Sequence, residues 1–394
     1  MGMKIIVAAA DSVAQDKAKA DFVCSGKNDE SVINQAIALL TKGGTVQLLD
    51  GNYIIDDFSQ ENNSAICVGY NDGNARVVNI TGDTENKSYN TAFGVVLHVS
   101  EKAIKSMDPD TSYRVFYGCS QKPDMPPDWF TYTHVNNVNF ENFYIKIFDA
   151  SRKVIGIDCR NFGSSMLKQV GIYTENYFAD RFLHRKPATP VNGSIGVISN
   201  PSSNDEMSRI GMDTVNVGGL HTGFYIVAVD HLIMRTCTAA RCCYGYVFQP
   251  GPKTMTLINC CDEGNTHLPV FTATRNSCIN NIDFNIERFN ADYIPDDPDG
   301  NTEPYAVETN PGNCIGFISY TLQGKAFDLK RFWKEGHGRN IQTVNLHHKR
   351  TEQPEYPEYL EQYFDMETNK MLTWNGKNWV DAMGNAVCPE NGTN

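Results

Sequence analysis

The feature that most limits what this chain can fold into is a weak internal repeat between residues 210 and 290. Units starting at Asp213, Arg235 and Asn259 each carry a short apolar run ten residues on. These runs are Phe224 to Val227 after Gly223, Tyr246 to Phe248 after Gly245, and Val270-Phe271 after Pro269. A fourth start falls at Asp283, so the starts are 22 to 24 residues apart. A unit this short, with two β-type runs and a turn, cannot enclose a core of its own. It must bury its apolar side against the next unit, which predicts an all-β solenoid. A solenoid also lets 394 residues form one main domain, because it grows by adding turns.

Composition narrows the class further. The net charge of −12, from 46 acidic and 34 basic residues, argues against nucleic acid as the partner, since phosphate binding relies on Lys and Arg. No apolar run approaches the roughly 18 residues of a membrane helix. The 12 cysteines include no Cys-x-x-Cys, and the adjacent pairs Cys242-Cys243 and Cys260-Cys261 chelate one ion poorly. They read as small apolar core fillers, kept as thiols in a reducing compartment. The stretch Ile5 to Ala10 is too short for a secretory leader.

Along the chain, residues 1–27 form an N-terminal segment and residues 28–350 the solenoid. Helical periodicity over 29–42, after Asn28 or Asp29 as N-cap and stopped by Gly43-Gly44, predicts a helix covering the first open turn. Strands follow at Thr45 to Leu49 and Tyr53 to Ile55 around an Asp50-Gly51 turn. Further strands are predicted at 75–80, 93–99, 113–117, 135–147, 154–158, 167–173 and 194–198. Two excursions interrupt them, at 175–193 and 289–312. A Pro- and Glu-rich linker, 351–358, precedes a C-terminal module, 359–394, whose Asn375-Gly376 pair between Trp374 and Trp379 predicts a type I′ hairpin.

Two segments carry family resemblances. Ala20 to Asp29, Ile33-Asn34-Gln35-Ala36-Ile37, Gly43-Gly44-Thr45-Val46 and Gly51-Asn52-Tyr53 resemble the N-terminal cap and first turn of the pectate-lyase-like superfamily. That resemblance implies a single-stranded right-handed parallel β-helix acting on or binding polysaccharide. Tyr363-Phe364-Asp365, Asn369 to Gly376 and Trp379-Val380-Asp381-Ala382 resemble a short hairpin module at the C-termini of bacteriophage tail and fibre proteins.

Alternation assigns side-chain directions. With Ile282, Phe284 and Ile286 inward, the same parity puts Met212, Thr214, Met234, Thr236, Ile258 and Cys260 inward. Asp213, Arg235, Asn259 and Asp283 then form one outward column, rising about 4.8 Å per turn. The next strand is apolar on both parities, so one row, Tyr225, Val247 and Phe271 or its alternate, needs a cover. A homotrimer supplies one. Asp213, Asp262, Glu263 and Asp283 are the candidate catalytic carboxylates, because glycosidases need two, about 5.5 Å or 6.5–9.5 Å apart. Arg235, Asn259 and Glu287, with Tyr177, Asp180, Arg181 and His184 of the first excursion, are the candidate sugar-binding residues. The excursion equally suits a loop folded back on the solenoid.

No cofactor or metal is assigned. The acidic run Asp296 to Asn301 places its glycine too early for an EF-hand loop. Gly336-His337-Gly338 lacks the Asn-Thr-Asp triplet that accompanies it in polygalacturonases. The expectation is a phage or prophage virion protein, tail-spike-like or fibre-like, that binds and can cleave a host-surface polysaccharide or oligosaccharide, alongside other virion proteins. Alternatives are a cytoplasmic glycoside hydrolase or polysaccharide lyase, and a non-enzymatic virion protein.

Overall fold

Short strands, nearly all paired in parallel, are the dominant element among the described residues. The computed structural model describes residues 2–68, 76–83, 94–118, 136–160, 162–183, 185–199, 207–227, 229–248, 254–267, 269–271, 278–288, 294–300, 316–322, 341–345, 362–365 and 370–387. Among these, the strands form a 19-stranded and a seven-stranded sheet. The smaller stacks Ser64–Val68, Tyr113–Gly118, Val154–Asp158, Ile195–Ile198, Thr222–Tyr225, Tyr244–Phe248 and Val270–Phe271 in parallel. Between consecutive members the chain crosses to the larger sheet, a path compatible with a solenoid. No helix among the described residues is long and apolar enough to cross a membrane.

The two sheets share one core. Phe116 of the smaller sheet meets Phe140 and Phe143 of the larger at ring separations of 5.0 and 5.6 Å. Phe224 stacks on Tyr246 at 4.9 Å, and all five rings are fully buried. Each such side chain contributes up to about 3 kcal/mol of transfer free energy. The Tyr246 hydroxyl lies 2.7 and 3.1 Å from the carbonyls of Cys237 and Cys261, so a buried polar group is satisfied while two successive turns are tied together.

The larger sheet bends at a column of left-handed residues. Asn142, Gln169, Thr214, Thr236 and Asn259 have φ of 62, 53, 57, 51 and 50°. The flanking register places them one above another. Such residues break the pleat, and Thr at positive φ is uncommon because its branched Cβ crowds the backbone. The bend therefore resets alternation, which corrects the sequence assignment. Met212, Met234 and Leu257 point inward before it, and Val215, Cys237 and Cys260 after it. Thr214, Thr236 and Ile258 do not.

The helix spans Asp29–Leu39, shorter than the predicted 29–42, because Leu40 leaves helical geometry and Gly43 and Gly44 take positive φ. It buries Ile33, Ala36 and Ile37. Asn28 makes no side-chain cap; Asp29 instead accepts from the Gly26, Lys27 and Ile54 amides at 2.9, 3.2 and 2.8 Å. Met3–Ala8, left unassigned by the sequence reading, is a strand parallel to Gly44–Leu48.

The C-terminal strands Gln362–Asp365, Lys370–Trp374 and Trp379–Val380 are antiparallel, and the first pairs with Ile341–Asn345, continuing the large sheet. The hairpin closes through a four-residue loop. There Asn375 Oδ1 accepts from Lys377 and Asn378 and only Gly376 has positive φ, so the turn is not type I′.

The described thiols at Cys24, Cys159, Cys237, Cys242, Cys243, Cys260 and Cys261 are free, and six of the seven are buried. Cys67 departs from the expectation of thiols alone: it is disulfide-bonded.

Candidate functional site

Outward positions two residues apart on one strand share a face, and parallel register extends each into a column. On the larger sheet three columns run side by side. The floor is Asn139, Met166, Gly211, Ile233 and Thr256. One wall is Ser164, Arg209, His231 and Thr254; the other is Glu141, Lys168, Asp213, Arg235 and Ile258.

The floor and the first wall enclose an open groove of about 420 Å³. Gly211 makes it possible: a Cβ there would come within 2.6 Å of the Met166 methyl, which lies across the glycine. Exposed Arg209 and His231 stand on the rim, with His231 Nδ1 2.7 Å from Thr254 Oγ1. On the opposite wall Lys168 pairs with Glu141 at 2.6 Å. Donors on both sides of an apolar strip suit a ligand that offers hydroxyls along its edges and C–H faces between them.

The structure redistributes the predicted residues. Asp213 and Arg235 are register partners on the outward wall, as expected. Asn259 is displaced to the bend column, because the position opposite Arg235 is Ile258. Asp283 lies in the strand Cys278–Arg288 where the ladder shifts between Leu257 and Cys260. The side chains of Asp283 and Glu287 fall outside the described residues.

Asp262 is not on the groove at all. It continues the inward column Ile145, Ile172, Val217 and Ala239, is 0% exposed, and a Cβ on Gly245 would meet its Oδ2 at 2.2 Å and Asn265 Nδ2 at 2.4 Å. The bend at Asn259 is the physical reason: it restarts the alternation three residues before Asp262. Glu263 is half-buried, in register with Ala240 and Glu287, so the proposed Asp262 and Glu263 pair points to opposite faces.

The first excursion folds back on the large sheet. Tyr177, in the short helix Tyr177–Phe182, stacks on Tyr173 at 5.0 Å and lies against Gly218, whose missing Cβ would be 2.4 Å from its ring. Asp180 and Tyr177 line a second cavity, of about 110 Å³, with Asp149, Asn176, Thr174 and Arg241. Arg241 has φ of 51° and is 4% exposed, while its counterparts one unit before and after are Gly219 and Gly264 at 75 and 60°. A non-glycine held in this conformation between two glycines marks a position kept for its side chain. The Arg181 side chain and His184 lie outside the described residues.

Sequence reasoning missed Arg209, His231 and Gly211 because the repeat was anchored at Asp213, on the opposite wall. It missed Arg241, although Gly219 and Gly264 at 22 and 23 residues' distance were a readable signal. The apolar row also shifts: Val247 pairs with Val270, and Phe271 with Phe248. Ile198, Val247 and Val270 are 5, 9 and 7% exposed while Tyr225 between them is half-buried, so most of this row is covered within one chain, and the Phe271 side chain lies outside the described residues. Compared with models of protein families, with curated proteins and with solved structures, the chain finds no match.

Proposed function

We propose that the chain is a single-stranded right-handed parallel β-helix, pectate-lyase-like in architecture, that binds an extended glycan along the groove of its larger sheet. The observation that carries this reading is the groove itself. Its Met166–Gly211–Ile233 floor is apolar, and Ser164, Arg209, His231 and Thr254 line one edge at successive levels. Levels about 4.8 Å apart offer a donor or acceptor roughly once per sugar unit. The parallel register from one unit to the next supports the β-helix, and the tail-fibre-like hairpin supports a phage or prophage virion protein. A homotrimer remains part of this proposal.

A second, enzymatic reading rests on Arg241. A guanidinium lining the same small cavity as Asp149, Asp180 and Tyr177 suits neutralisation of a uronate carboxylate near a carboxylate acid or base. A glycan panel, read for binding and for release of new reducing ends, tests both. Binding abolished by Arg209→Ala supports the groove; turnover abolished by Arg241→Lys supports the cavity. A panel with neither outcome removes glycan recognition, and light scattering at 44.0 kDa removes the trimer.

A further inference from the structure

The segment 294–300, read from sequence as part of a loop without a site, lies against the seven-stranded sheet, on a different surface from the groove. Its backbone is held there: the Pro295 carbonyl accepts from Thr266 Oγ1 at 2.6 Å, and Asp296 pairs with Lys186 at 2.7 Å. This brings Asp297 and Asp299 to His221, at the entry to Thr222–Tyr225. One ring nitrogen of His221 and one carboxylate oxygen from each aspartate lie within 4.8 Å of one another.

His221 makes this more than an acidic cluster. It is 5% exposed, and its Nε2 is buried without a hydrogen-bond partner. Its Nδ1 is engaged with Thr222 Oγ1 at 3.0 Å. With Nδ1–H donating to that hydroxyl, Nε2 presents a lone pair beside two carboxylates, an arrangement of electron-rich atoms that suits a cation among them.

The surrounding groups hold the carboxylates in place. His267 Nε2 reaches Asp297 Oδ2 at 2.6 Å, and the Tyr244 hydroxyl reaches the same oxygen at 3.4 Å. Asp297 Oδ1 accepts from the Asp299 amide at 2.9 Å, and Asp299 Oδ2 accepts from Asn192 Nδ2 at 2.9 Å. A shell of hydrogen bonds that fixes ligand orientation is characteristic of metal centres.

We propose that His221, Asp297 and Asp299 bind one divalent transition-metal ion of the zinc type, which clamps the 294–300 segment to the seven-stranded sheet. One imidazole and two carboxylates suit a borderline ion, whereas calcium takes oxygen ligands alone. This inference is independent of the glycan reading.

The test is calorimetric titration of the full chain with Zn²⁺ after chelator treatment, with Co²⁺ absorption as a second readout. The expected result is one Zn²⁺ per chain, a rise in the thermal transition on binding, and at least tenfold weaker binding in Asp299→Asn and in His221→Gln. Asp299 is exposed, so Asp299→Asn keeps the fold and the test stands even where the buried His221 variant unfolds. Absence of stoichiometric Zn²⁺ binding, or equal affinity in the folded Asp299→Asn variant, overturns the proposal. So does Ca²⁺ binding as tight as Zn²⁺ and indifferent to His221→Gln.

Discussion

The outer faces of the two sheets are built on the same pleat and the same parallel register, yet they treat polar side chains in opposite ways. On the larger sheet Arg209, His231, Lys168 and Arg235 stand in water, and Glu141 with Lys168 is an exposed pair. On the smaller sheet Asp158 occupies an outward position but is 0% exposed, held by Arg114 Nε at 2.8 Å and by Arg160 through both its Nε and its terminal nitrogen. At the far end of the same sheet His267 and Asp297 are buried together at 2.6 Å. Covering a sheet face turns its polar residues into structure, because a buried charge must be paired; leaving a face open keeps them available for a ligand.

Removing a covered charge should therefore have the largest effect. Asp158→Ala leaves two half-buried guanidinium groups facing each other without their carboxylate, and should destabilise the protein by about 3 kcal/mol. Chemical denaturation followed by far-UV circular dichroism reads this directly. A loss under about 1 kcal/mol would mean that the smaller sheet is solvated like the larger and that the contrast between the faces fails.

Glu30 sharpens the contrast from the other side, as a buried carboxylate on the capping helix whose pKa is set by burial rather than by arginines. It is 6% exposed, and burial pushes its pKa from the ordinary 4.5 up to about 7, helped by Asp56 and Asp57 and opposed by backbone N–H groups. The folded state then holds a proton that the unfolded chain releases between these two values. Its contribution is fully present below about 4.5 and declines as pH rises through about 7. Stability measured from pH 5 to pH 8 should fall with pH by an amount that Glu30→Gln removes. An identical slope in the variant would show that Glu30 is not the group responsible.

The bend column forms the border of the open face, and it carries a smaller cost. Thr236 is exposed, with φ of 51° and a branched Cβ in a region that disfavours it. Asparagine tolerates this conformation, so Thr236→Asn should stabilise the protein by about 0.5–1 kcal/mol. A loss instead of a gain, in the same denaturation assay, would show that the threonine side chain contributes more than its backbone costs.

How much of this was legible in the sequence follows from which interactions are local. The strand sequence, the capping helix after Asn28 and the parallel stacking could be read from periodicity, because each depends on apolar residues at fixed spacing. Direction could not be carried across the bend column at Thr214, Thr236 and Asn259. A left-handed Thr or Asn looks like any other polar residue in a strand pattern, and a single such residue moved Asn259 off the groove and turned Asp262 into the core. The candidate groove was half legible: Asp213 and Arg235 were placed together on an outward face, but the floor turns on Gly211, whose meaning appears only when Met166 is seen lying across it. The burial of His221 beside Asp297 joins segments about 75 residues apart, and no spacing rule reports such a contact.

The smallest stability effect is expected where the functional effect should be greatest. Arg209 projects from the rim, with Ser164 and His231 as its neighbours on the wall. Its guanidinium is solvated, so Arg209→Ala should change stability by no more than about 0.5 kcal/mol. In a bound glycan the same group would donate to hydroxyls or a carboxylate from a fixed edge, above an apolar strip that excludes water, and hydrogen bonds from charged donors are the stronger ones. Arg209→Ala should then weaken glycan binding by at least tenfold while leaving the denaturation midpoint unchanged. The control is Arg152→Ala, whose Nε bonds the Met107 carbonyl at 3.2 Å, away from the groove. That variant should leave binding intact. If both variants bind alike, the open face is merely solvated, and the search for a ligand moves to the cavity around Arg241.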